Sequence, residues 1–322
     1  MAGDQIWQPV ATAGTATAVD DGTWMIDLGF QERSNVVLAY LLAAGDQLAL
    51  IESGPTATLP NLLAGITAAG FDPARLTHLL VSHIHLDHSG AAGVLARDNP
   101  TLTVFVHPIG APHLIDPSRL VASATRLYAD RMDALWGEVL PVPMAQIAPL
   151  ADGETIAVAG RVLSAIHTPG HASHHVAYWD PERAALFTGD VGGVRMPGTS
   201  YACPPAPPPE LDPAAWAISV DRMRALGARH LFLTHGGRFS DVAAHLGQLM
   251  PNLAALRALA KTALLAGADH ERLTSLIHDG MASHVSDPEA LVDLEWATPS
   301  YLAASGLTRF LVKGGEVPTP AS

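Results

Sequence analysis

"SHIHLDHSG", residues 82–90, sets three histidines and an aspartate within six positions, directly behind the apolar run Leu79-Leu80-Val81. The apolar run, in the longer stretch "LTHLLVSH", reads as a buried strand, so the polar cluster falls at that strand's C-terminal end. The same arrangement recurs along the chain. His171 stands in "HTPGHASHH" after "RVLSAIH", Asp190 closes "ALFTGD", and His235 follows "HLFLT" in "HLFLTHGG". His83, His85, Asp87, His88, His171, Asp190 and His235 therefore all lie just past strand-like runs and beside glycine, where side chains from separate strands converge in a crevice. Five imidazoles and two carboxylates are nitrogen and oxygen donors suited to zinc, iron or manganese. Their number exceeds what one tetrahedral ion uses, so the residues imply two divalent transition-metal ions, with zinc the first choice.

Around these ends the first half of the chain alternates strand-like and helix-like segments. "TWMIDLGF" and "NVVLAYLLAAGDQLALIESG" read as strands, the second split by a Gly-Asp turn, after a polar N-terminal arm. A helix is predicted over about Leu59–Ala69, with Pro60 in its first turn and Gly70 as its stop. "GAAGVLARD" reads as a short helix and "TLTVFVH" as the next strand. A helical insert over 112–138 then interrupts the rhythm, which resumes with "ETIAVAG", "RVLSAIHTPGH", "HHVAYWD" and "ALFTGD". A proline-rich stretch over 197–213 is too long for an ordinary connector. Pro213 opens a helix to about Leu226, and "HLFLTHGG" is a last strand. Residues 1–240 thus read as one α/β domain and 241–322 as a smaller helical region.

Composition limits the function. The chain has 322 residues, 48% of them hydrophobic, enough for a substantial core. A formal charge of −13 with only 18 Lys and Arg opposes nucleic-acid binding. The single cysteine, Cys203, excludes an internal disulfide and a cysteine-based zinc site. No secretory h-region is read at the N-terminus and no membrane span elsewhere, so the expectation is a cytoplasmic protein acting on a small molecule, with a homodimer left open.

The order HxHxDH, His, Asp, His resembles the metallo-β-lactamase superfamily over about residues 20–240. That resemblance implies an αββα sandwich with a dinuclear site on one edge. It implies that His83, His85 and His171 hold one metal, that Asp87, His88 and His235 hold the second, and that Asp190 bridges them. Where relatives commonly carry Asp in a "DTG" turn this chain has "IESG", which gives Glu52 the task of supporting the metal loop. His174, and beside it His175, are assigned a similar supporting place. His78, His107, His113, His167, His230, His245, His270, His278 and His284 are read as structural or solvated.

The superfamily's redox di-iron members typically have Glu at the position of His85, which favours hydrolysis here. Asp190 separates the chain from authentic β-lactamases, and Cys203 is read as an ordinary small residue. Two cations about 3.5–4 Å apart can share a water, lower its pKa and deliver hydroxide to a carbonyl or phosphorus centre. Asp87 and Asp190 are then the catalytic carboxylates, with Asp87 orienting the hydroxide or shuttling a proton. The expected reaction is hydrolysis of small lactones, carboxyl esters or phosphoesters, in the glyoxalase-II-like, lactonase and phosphotriesterase branches. Thioester hydrolysis is the alternative, and a non-catalytic or redox di-iron metalloprotein the rival from another class. Substrate choice is assigned to Tyr128, Trp136, Arg126 and Arg131 of the insert, to Arg195, Met196 and Tyr201 after Asp190, and to the C-terminal helices. Arg195 is the preferred partner for an anionic substrate group.

Overall fold

The structure, a computed structural model, describes residues 14–319. Most of the expected N-terminal arm lies outside the described residues. One sheet has seven strands in sequence order: β1 (Ala16–Asp20), β2 (Thr23–Asp27), β3 (Leu38–Ala44), β4 (Gln47–Ile51), β5 (Leu76–Leu80), β6 (Thr103–Val106) and β7 (Ile147–Pro149). β1 to β4 pair antiparallel and β4 to β7 parallel. The second sheet has six, β8 (Thr155–Val158), β9 (Arg161–His167), β10 (Val176–Asp180), β11 (Ala185–Phe187), β12 (His230–Leu233) and β13 (Gly237–Phe239). Its neighbours pair antiparallel except β11 and β12.

Period-two alternation explains why the sheets stack. In β3, Leu38, Tyr40 and Leu42 join an inner layer with Tyr178, Phe187 and Phe232 of the second sheet. The intervening Ala39, Leu41 and Ala43 face an outer layer with Leu62 and Ile66. Those two come from helix α1 (Leu59–Ala68). The second sheet repeats the device, Tyr178 pointing inward and Ala177 and Leu186 outward against Trp216 and Met223. Helices therefore cover both outer faces, giving the αββα sandwich.

α2 (Leu86–Ser89) and α3 (Ala92–Asp98) follow β5. The expected single insert helix is three: α4 (Ala111–Ile115), α5 (Ser118–Tyr128) and α6 (Met132–Trp136). Pro117 forces Asp116 into an extended conformation (φ −131°, ψ 94°), and Ala129 takes φ 49° at the second break. α7 (Pro213–Ala225) is capped by Asp212, whose carboxylate accepts from Ala214 N and Ala215 N. The chain continues in α8 (Val242–Leu265), α9 (His270–Ala282), α10 (Pro288–Ala297) and α11 (Ser300–Lys313). Among the described residues no helix is long and apolar enough to cross a membrane.

Candidate metal centre

The loops after β5, β9, β11 and β12 bring the seven residues to one edge of the sandwich. His83, His85, His171 and Asp190 form one group of donors, and Asp87, His88 and His235 a second, with the donor atoms of each group within 4.8 Å of one another. Asp190 faces both. Its Oδ2 lies 3.3 Å from His171 Nε2 and 4.0 Å from His83 Nε2, while its Oδ1 lies 3.2 Å from His88 Nε2 and 3.3 Å from His235 Nε2.

Partners on the far side of the rings fix which nitrogen faces inward. His171 Nδ1 sits 3.0 Å from the Pro205 carbonyl and His235 Nδ1 2.5 Å from the Val36 carbonyl. A carbonyl only accepts, so both Nδ1 atoms carry hydrogen and both Nε2 atoms of the neutral rings present lone pairs to the centre. Glu52 does the same for His88, its Oε1 lying 3.0 Å from Nδ1. Inside, His88 Nε2, His235 Nε2 and Asp190 Oδ1 are buried without a hydrogen-bond partner. Buried polar atoms left this way are costly unless something else satisfies them, and lone pairs converging with a carboxylate fit cations.

The charges agree. Burial and neighbouring imidazoles hold His83 and His85 well below the ordinary histidine value, and burial lowers His171, so these rings are neutral as ligands must be. For His88 burial alone also lowers the value, but Asp190, Asp87 and Glu52 outweigh it and raise the ring well above normal. For Asp190 burial works upward, and His88, His171 and His235 outweigh it, holding the carboxyl well below the usual range.

The supporting residues pin the loops. Glu52, buried and at φ 64°, accepts from Ser82 N through Oε2 (3.1 Å) and from Thr234 Oγ1 through Oε1 (3.3 Å), so one carboxylate ties the loops after β5 and β12. His175 accepts from Asp190 N at 3.1 Å through Nε2, while its Nδ1 lies 2.8 Å from Thr168 Oγ1. The His174 ring lies 6.2 Å from that of His85, and its Nδ1 is buried without a partner. Gly189, at φ 49°, is required because a Cβ there would stand 2.5 Å from His175 Nε2 and 2.6 Å from Ser82 Cβ.

A cavity opens from the centre, lined by His85, Asp87, Asp190 and His235 at its floor and walled by α5, α6, α10, α11 and Pro205–Pro209. Tyr128, Trp136 and Arg131 line it, but Arg126 is not among the lining residues. Arg195, Met196 and Tyr201, expected at the substrate wall, are not among them either. The Arg195 guanidinium is engaged by Asp241 at 2.8 and 2.9 Å and lies 4.5 Å from the Phe239 ring centroid. Met196 and Tyr201 are buried in a satellite core with Cys203 and Met281, Tyr201 stacked on His284. Their chain segment turns away because Val194 and Cys203 pair as a β-bridge, leaving Pro205–Pro209 to border the cavity. Sequence reasoning missed Phe30, Trp296 and Tyr301 of the wall. Only the C-terminal location of the last two was legible.

Comparison with known proteins matches residues 34–235 to the family model described as the metallo-beta-lactamase superfamily. An atrochrysone carboxyl ACP thioesterase (dmxR1) of Cryptosporiopsis sp. is 26% identical over 212 residues, which are 65% of this chain and 52% of that protein. Thioesterase pkgB of Emericella nidulans is 29% identical over 152 residues, 47% of this chain and 34% of that one. The chain thus spans about half, or less, of the length of these curated relatives. A metallo-beta-lactamase family protein from Thermus thermophilus, TTHA1429, superposes with a TM-score of 0.68 at 23% identity, covering 92% of this chain and 95% of its own. At that identity the likeness is one of fold. The family match, reaching from before the first donor-bearing loop to His235, the last of the seven candidate donors, and the seven residues assembled at one sheet edge lead to one conclusion: the chain belongs to the metallo-β-lactamase superfamily.

Proposed function

We propose that the chain is a metal-dependent hydrolase that holds two divalent transition-metal ions, zinc first, and cleaves small ester-type bonds. His83, His85 and His171 would hold one ion, Asp87, His88 and His235 the other, with Asp190 between them. The observation that carries this is Asp190, whose two oxygens face separate groups of inward-directed imidazoles. When bound, such ions supply Lewis acidity, bringing a water's pKa toward neutrality and offsetting charge that builds on the substrate oxygen.

The chain's own residues do the rest. Asp87 lines the cavity, and its side chain keeps 22% exposure against 6% for Asp190. It is the ligand carboxylate placed to take a proton from the attacking water and return it to the leaving group. Glu52 and His175 hold His88 and the Asp190 loop in register. The apolar wall excludes bulk water, which strengthens every charge interaction at the floor. Cys203 is no nucleophile, because burial pushes its thiol up to about 12 and the side chain sits in the satellite core.

Carboxyl esters and lactones are the first class, with phosphoesters beside them. Thioesters are the second reading, favoured by the thioesterase names of the fungal relatives. The test is a hydrolysis screen of metal-loaded protein across lactones, carboxyl esters, thioesters and phosphoesters. The expected result is turnover of at least one class, abolished by Asp190→Ala and lost reversibly on chelation. Turnover that survives both treatments would refute the reading.

A further inference from the structure

The cavity wall is unusual in composition. The whole chain carries only 7 Phe, 6 Trp and 5 Tyr, yet Phe30, Tyr128, Trp136, Trp296 and Tyr301 all line this one space. Four of them form a continuous aromatic chain, with Tyr301 beside it on the same wall. Tyr128 meets Trp136 edge-on at 5.0 Å, Trp136 stacks on Phe30 at 5.5 Å, and Phe30 meets Trp296 edge-on at 6.4 Å. Such faces take flat ring systems in offset-stacked or edge-on contact. The surface ends at one cation. Arg131 is exposed, lies 5.7 Å over the Trp296 ring, and is the only Lys or Arg among the lining residues.

Arg131 also differs from Arg33 and Arg195, neither of which lines the cavity. Arg33 is paired with Glu289 and Asp293, and Arg195 with Asp241, whereas among the described residues no carboxylate is ion-paired with Arg131. Glu295, on the adjoining wall, is engaged by Ser300 through its backbone N and Oγ. In a chain of formal charge −13 this is a guanidinium without an acid, held in place by a ring face at the mouth of an apolar cavity.

We propose that this cavity binds an aromatic ring system and that Arg131 selects substrates bearing an anionic group, a carboxylate foremost, at the end away from the metal centre. The assignment rests on the hydrolase reading only in taking the cavity floor as the place where the bond is cut. Arg131 is a specificity residue: it touches the distal group, so its removal weakens binding of anionic substrates more than that of uncharged ones.

The test pairs direct binding with turnover in the metal-loaded protein. Calorimetric titration compares 6-hydroxy-2-naphthoate with 2-naphthol in the wild type, Arg131→Gln and Arg131→Lys. The wild type is expected to bind the naphthoate about tenfold more tightly, as a charge-assisted contact allows, with the preference shrinking as salt rises. Arg131→Gln should abolish the preference without weakening 2-naphthol, and Arg131→Lys should keep part of it. A preference unchanged in Arg131→Gln, or no binding of either probe to the wild type, overturns the proposal. Turnover of the matching acetate esters separates the two claims. Binding discrimination with no turnover of these esters or of any class in the hydrolysis screen would refute the hydrolase reading alone, whereas hydrolysis without an Arg131-dependent preference would refute this proposal alone.

Discussion

At the scale of single residues, the centre depends on groups that never touch a substrate. Glu52 is the clearest case, since its carboxylate fixes the His88 tautomer and bridges two loops. Glu52→Gln should weaken metal binding at the second group by about 10- to 100-fold, the usual cost of losing a ligand's outer partner. Competition with a calibrated chelator measures this, and an unchanged affinity would contradict it. His245 acts on stability instead. It is buried, its Nε2 donates to the Gly192 carbonyl at 2.7 Å, and burial pushes its pKa down to about 4. An unfolded histidine titrates near 6.5, so between those values the unfolded chain binds the extra proton. Its stabilising contribution is therefore complete above about pH 6.5 and disappears as pH falls through that window toward 4, a loss of about 3 kcal/mol. Denaturant titrations at neutral and acidic pH should show His245→Gln, which keeps a donor for Gly192, losing correspondingly less on acidification. An identical loss in the variant would refute the assignment.

At the scale of elements, the strand ends that carry the ligands were the most legible feature of the sequence, because an apolar run closing on His or Asp beside Gly marks a buried strand that delivers a polar group to a sheet edge. The structure places His83, His171, Asp190 and His235 in the loops that follow β5, β9, β11 and β12. β7 and β13, of three residues each, were not foreseen, whereas the equally short β11 was legible because its apolar run "ALF" closes on "TGD". β1 was hidden in the polar arm, its burial being only partial. The insert read as one helix because its apolar spacing persists across the breaks at Pro117 and Ala129. Backbone geometry at Ala129 cannot be inferred from a side chain that favours helix. The end of β12 also gives a prediction. Gly236 has φ 114°, and a Cβ there would stand 1.7 Å from the Arg195 carbonyl oxygen. Gly236→Ala should cost at least about 2 kcal/mol and displace His235, lowering both the melting temperature and the metal content. A variant matching the wild type in both would show that this loop is not held as described.

At the scale of the whole molecule, two sheets supply the floor of the site while the insert, the proline-rich segment and the C-terminal helices supply its walls. The floor was legible because its chemistry is written in ligand types. The wall was legible only in outline, because Arg131 and Trp296 meet through folding across most of the chain, and nothing local to either residue announces the contact. Metal and fold should be coupled through the floor. Seven donors from four loops converge there, and ions that bind only the folded chain stabilise it by mass action. Chelation should therefore lower the melting temperature, and added metal should restore it. An identical melting curve with and without metal would contradict that coupling. The central claim is the dinuclear centre, and its most direct test is the metal-to-protein ratio by elemental analysis after loading and removal of free metal. Two ions per chain are predicted for the wild type, and a ratio that saturates at one or below would contradict the account.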